Sequence, residues 1–264
     1  MKPIVKWTLW QRRWSIGWWS LGVFGLIFIN MIFYPTFRDQ AAELEKSFES
    51  LPEAAVQLVG GSTDFFSPIG FLNSQVFFIM LPLILGILAI SLGSNLIARE
   101  EQDRTIESLL SRPVSRSQLF VSKSFAGALM LGIVSIVGFL TTSIIAHVVN
   151  LDVSATKIAL ATFACYLLAL SFGAIAILFT SLGKARVASL GLASAIALGG
   201  YLLSSLAGTV NWLSGPSKVF PFHYYQTEDI LRGTHNWSNF LFLVVVIFAC
   251  GVIACFTFRK RDIY

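Results

Sequence analysis

Arg99-Glu100-Glu101-Gln102-Asp103-Arg104-Thr105-Ile106-Glu107-Ser108-Leu109-Leu110-Ser111-Arg112-Pro113-Val114-Ser115-Arg116 is a polar island between two long uncharged runs, Phe65 to Ala98 and Ser124 to Leu151. Each run exceeds the roughly 20 apolar residues that a bilayer-spanning helix needs. The island is therefore a short charged hairpin held at one membrane face by two buried helices. Further uncharged runs fall at Trp14 to Phe37, Ile158 to Gly183, Val187 to Ser217 and Ser238 to Phe258. A backbone in lipid closes its hydrogen bonds within each helix, so six runs predict six spans. Composition agrees: 55% of the chain is hydrophobic, 12% is charged and the mean hydropathy is +0.73.

The expected architecture is an all-α membrane protein formed by a single domain over residues 1–264. Its spans are read at 14–37, 71–98, 124–149, 158–183, 187–210 and 238–258. An interfacial helix covers 1–13, a cytoplasmic hairpin 99–123, and outer segments 38–70 and 211–237. The first run is long, rich in tryptophan and followed by Tyr34-Pro35 rather than a small-residue cleavage site, which argues against a removed signal peptide.

Orientation follows from the cations. With both ends inside, fourteen of the nineteen Lys and Arg residues fall on inner segments, as the positive-inside rule requires. The net charge of +5 and the pI near 9.2 thus report topology rather than affinity for nucleic acid.

In the first segment Ile4, Trp7, Trp10 and Trp14 recur at helical spacing, while Lys2, Lys6 and Arg13 point elsewhere. Tryptophan on one side and cations on the other describe a helix lying in the headgroup plane. In the outer segment Leu44, Phe48 and Leu51 give a helical stripe among acidic residues, interrupted near Pro52 and Gly60-Gly61. In the hairpin Ile106, Leu109 and Leu110 share a helical face, which ends before Pro113 because the residue preceding proline is pushed out of the α region. Ser115 and Gln118 then form a capping-box pattern that starts the next helix toward Leu119 and Phe120. In the fifth run Gly191, Ala195 and Gly199 fall four apart, as do Ser189, Ala193 and Ala197, a spacing that lets helices pack closely. The aromatic and proline content of Asn211 to Trp237 predicts short helices dipping into the outer interface, before the last span.

Catalytic constellations are missing. His147, His223 and His235 fall near the outer surface without ligand-spaced partners, and Cys165, Cys250 and Cys255 read as small apolar packing. No carboxylate or cation interrupts a span, which speaks against an ion-driven carrier. Gly183-Lys184 is followed by Ala185 and lacks the earlier glycine of a phosphate-binding loop. The inner segment 99–123 is also too short to fold as a nucleotide-binding domain. An intramembrane enzyme is disfavoured for want of polar catalytic residues.

Glu100-Glu101, Thr105-Ile106-Glu107, Leu109-Leu110-Ser111 and Pro113-Val114-Ser115-Arg116, ending at Lys123, resemble the hairpin of the permease subunits of ABC type-2 exporters. Leu51-Pro52-Glu53 with Gly60-Gly61 and Gly70-Phe71-Leu72 look like the first outer segment of that family. Pro221-Phe222-His223-Tyr224-Tyr225 and Leu231-Arg232-Gly233 are similar to its last. Arg104 stands where the family commonly has glycine, so the hairpin helix is expected to continue through that position.

The resemblance implies a bacterial inner-membrane permease with both termini in the cytoplasm. It implies pairing with a second permease copy, identical or paralogous, and with two separate ABC ATPase subunits. ATP and Mg would be held by those ATPases, with no cofactor bound directly here. Glu100, Glu101, Arg104, Thr105, Ile106, Glu107, Leu109, Leu110, Arg112, Pro113 and Arg116 would form the ATPase-coupling contact, braced by the amphipathic start. The second and fifth spans would wall a midline cavity for an amphipathic or apolar cargo such as a lipid, peptide or drug-like compound. The competing reading is a regulatory or scaffold membrane protein that uses the same hairpin to bind a cytosolic partner without transport.

Overall fold

The structure is a computed structural model that describes residues 2–40, 52–58, 67–95 and 115–260. It is helical throughout the described residues. The chain runs through α1 (Lys2–Gln11), α2 (Arg13–Ile32), α3 (Tyr34–Asp39), α4 (Glu53–Leu58), α5 (Pro68–Leu72), a π-helical turn (Asn73–Phe78) and α6 (Met80–Asn95). It continues through α7 (Arg116–Val148), α8 (Ala155–Ser181), α9 (Arg186–Leu206), α10 (Ser214–Ser217), α11 (Thr227–Arg232) and α12 (Trp237–Lys260). Two 3-10 turns, Asn211–Leu213 and Pro221–Tyr224, flank α10. Six helical stretches among the described residues are long and apolar enough to cross a membrane, beginning at Arg13, Pro68, Arg116, Ala155, Arg186 and Trp237.

α8 is the axis of the bundle and packs against α6, α7, α9 and α12. Its crossing with α6 is the tightest because small residues meet there. A Cβ placed on Gly93 would overlap the Gly173 carbonyl oxygen, and one on Gly173 would come within 3.2 Å of the Ala89 carbonyl oxygen. Close backbone approach of this kind substitutes for the hydrophobic drive that lipid removes. The core around it holds Leu81, Leu85, Ala161, Cys165, Leu168 and Phe172.

The peripheral helices are less covered. In the most apolar windows of α2, α9 and α12, 17% of residues are buried, against 61% for the α5–α6 stretch and α8. Their large exposed side chains, among them Trp18, Ile29, Leu198 and Phe248, are those that lipid or a second subunit would cover.

α7 is 33 residues long, or about 50 Å at 1.5 Å per residue, well beyond a hydrocarbon core of about 30 Å. The capped helix expected at Ser115 and the span expected from residue 124 are therefore one continuous rod. Nothing between Arg116 and Ser124 breaks it: no proline or glycine interrupts the ladder, and Leu119 and Phe120 are buried.

Candidate functional site

At the end of the bundle where α7 begins, its cap is fully formed. Ser115 Oγ accepts from the Gln118 amide at 3.2 Å, and the Ser115 amide donates to Gln118 Oε1 at 3.3 Å. Two orphan amides are satisfied reciprocally, which fixes where the chain enters the helix. One turn later Phe120 packs on Phe258 of α12, with ring centroids 5.8 Å apart, alongside Ala254 and Ile177. On another side α1 lies against α7. The first turns of α7 are thus clamped between the N-terminal helix and the last span.

α1 turns Thr8 inward and Leu9 toward the core and leaves Trp7 and Trp10 exposed, as is Trp14 at the start of α2. Thr8 Oγ1 donates to the Ile4 carbonyl at 2.8 Å, so the hydroxyl is satisfied within its own helix. Trp7 and Trp10 stack at 5.7 Å, and Ile4 is half-buried. Arg13 departs from expectation. Its guanidinium lies 4.1 Å from the Trp10 ring centroid and donates to the Trp10 carbonyl at 3.0 Å. Arg13 follows Trp10 by three residues, which places the cation over the aromatic face, where the ring quadrupole attracts it.

Of the coupling residues expected from sequence, Arg116 is described: it opens α7 and is half-buried. Glu100, Glu101, Arg104, Thr105, Ile106, Glu107, Leu109, Leu110, Arg112 and Pro113 lie outside the described residues, as does the Leu44, Phe48 and Leu51 stripe. In α9 the two small-residue stripes separate. Ser189 and Ala193 are fully buried inside the bundle. Among the described residues no atom stands within 4 Å of a Cβ on Gly191 or Gly199, and Ala195 is exposed. The Gly191/Ala195/Gly199 face thus meets no other described helix within one copy.

The opposite end of the bundle carries a polar cluster that pattern reading missed. Pro82 has no amide to donate, and the π-helical turn ahead of it shifts the local ladder, so carbonyls here need other partners. Tyr225 OH donates to the Phe77 carbonyl at 2.6 Å, and Thr227 Oγ1 donates to Asn73 Oδ1 at 2.7 Å. Burial pushes the Tyr225 phenol well above its ordinary range, which keeps it a neutral donor. Cys165 of α8 meets the same hydroxyl. The segment Pro221–Arg232 is in this way stitched across the tops of α6 and α8. Tyr201 OH donates to the Leu58 carbonyl and ties α4 to α9.

His223 stands on this segment beside Ser217, Nδ1 to Oγ at 3.3 Å. Ser217 Oγ also lies 3.2 Å from the Ser214 carbonyl, to which its hydroxyl can donate. Burial, and then the Lys218 cation, lower the His223 pKa below its usual value. Among the described residues no group of three His, Cys, Asp or Glu could hold a metal ion.

Six long apolar helices with α8 at their centre, a capped rod at one end and a polar cluster at the other define a multi-pass helical membrane protein of the transporter-permease class. The family model for ABC-2 family transporter proteins matches residues 13–263, and the chain belongs to that family. A search of curated proteins finds no relative that matches.

Proposed function

We propose that this permease couples ATP hydrolysis by a separate ATPase subunit to efflux of an amphipathic or apolar cargo. The single observation that supports it most is the clamped rod: α7 begins at the capping box next to the hairpin, is held by α1 and α12, and runs unbroken to the opposite face. A push at the hairpin is then delivered along a helix rather than absorbed by a loop. Ile106, Leu109 and Leu110 would supply apolar anchors to the ATPase, while Glu100, Glu101, Glu107, Arg112 and Arg116 would set register and partner choice. Nucleotide-driven approach of two ATPases would bias the paired bundles between two packed states. The unpacked Gly191/Ala195/Gly199 face of α9 is well suited to the second permease copy. Both termini would lie in the cytoplasm of a bacterial cell, and ATP and Mg would stay in the partner. The test is mild-detergent capture of the tagged protein from its native membrane. A copurifying nucleotide hydrolase is expected, and its consistent absence would favour the scaffold reading.

A further inference from the structure

The outer end of the bundle holds a recess of about 360 Å³ that neither the coupling contact nor the bundle core uses. Its walls come from the end of α9, from α10, from the Pro221–Tyr224 turn and from the π-helical turn. Ser204, Ser205, Ser214, Lys218, His223 and Gln226 bring its polar groups, with Phe78 and Phe222 forming an apolar side. The charge of this lining is one-sided. Lys218 brings an ammonium group, His223 can become a cation, and among the described lining residues none is a carboxylate. The nearest acids in sequence, Glu228 and Asp229, belong to α11, where Glu228 is held by Arg232 at 2.8 Å. Two hydroxyls add a second, independent observation. Ser204 Oγ and Ser205 Oγ are buried with no hydrogen-bond partner among the described residues, although buried hydroxyls are ordinarily satisfied. A turn about χ1 presents either one to an acceptor in the recess. Gln226 accepts from Asn239 through Oε1 at 2.9 Å, which leaves its amide protons as donors.

We propose that this recess binds an oxyanion, the phosphate of an anionic headgroup, with Lys218 as its counter-ion and the serine hydroxyls and Gln226 as neutral donors. A phosphate carries several acceptor oxygens, which matches a lining rich in donors and poor in acceptors. The recess exceeds what a bare phosphate fills, and Phe78 and Phe222 provide apolar contact for the first carbons attached to it. The site stands apart from the coupling reading, since occupancy needs neither nucleotide nor an ATPase. Loss of one therefore leaves the other standing.

The experiment uses the full-length permease in phosphatidylcholine nanodiscs, titrated with short-chain phosphatidic acid in one arm and inorganic phosphate in the other. Bound probe is counted by native mass spectrometry. Saturable retention of phosphatidic acid, weakened about tenfold or more by Lys218→Gln and restored by Lys218→Arg, is expected and identifies a lipid source. The same pattern with inorganic phosphate alone supports the site for a free oxyanion. Lys218 is exposed, so the variants test binding without disturbing the bundle. Failure of both probes to bind, or equal retention by wild type and Lys218→Gln, overturns the assignment.

Discussion

Replacing Gly93 with alanine adds one methyl group at the tightest point of the bundle. That methyl would overlap the Gly173 carbonyl oxygen and reach 3.0 Å from Ala176 Cβ. A carbonyl oxygen is backbone and cannot rotate aside as a flexible side chain does, so α6 and α8 must separate. Overpacking of this kind costs about 1–3 kcal/mol. Alanine recovers at most about 1 kcal/mol through helix propensity. An overlap with backbone belongs in the upper part of that range, about 2–3 kcal/mol, so the net loss is about 1–2 kcal/mol, which lowers Tm by roughly 2–8 °C at the roughly 2–4 °C per kcal/mol of a protein this size. Gly191→Ala and Gly199→Ala are the matched controls, because their Cβ positions are open within one copy. Those variants should keep or slightly raise Tm. The assay is thermal unfolding of the purified permease followed by intrinsic tryptophan fluorescence, with subunit number checked by size exclusion. A Gly93→Ala protein as stable as wild type would refute the helix crossing described here. Equal destabilisation by Gly191→Ala would do the same for the unpacked face of α9.

Tyr225→Phe should leave the Phe77 carbonyl unpaired and destabilise the permease by about 1–3 kcal/mol, read by denaturant unfolding. Thr227→Val acts on the same cluster, and the double variant should depart from additivity. The lowered pKa of His223 means the folded state holds the neutral ring, so its contribution is intact above the unfolded value near 6.5 and is lost as pH falls below it. Wild type should therefore lose more Tm than His223→Gln between pH 7.5 and pH 5.5. Ser115→Ala should cost about 1 kcal/mol by removing the α7 cap, and Ser115→Asp should restore most of it.

The spans were legible because lipid enforces one rule on every crossing segment: a long uncharged run. The α7 cap was legible too, since Ser115 and Gln118 are neighbours in sequence and their bonds are local. The outer cluster was not. Tyr225 and Phe77 are separated by 148 positions, and Thr227 and Asn73 by 154. Pro82 was the available clue, as a proline inside an apolar run leaves carbonyls without partners. Two small-residue stripes in α9 looked equivalent by spacing. Which one faces inward depends on where α6 and α8 sit, and that is tertiary information. Arg13 was placed away from the tryptophans, yet it stands three residues after Trp10, a spacing that puts the two on one helix face.

The central claim is that work done elsewhere enters this bundle through residues 99–123 and travels up α7. Its most direct test is nucleotide turnover by the ATPase–permease complex in proteoliposomes, comparing wild type with Glu107→Lys. Loss of assembly, or of permease-dependent turnover, is the predicted result. Unchanged assembly and turnover would contradict the account.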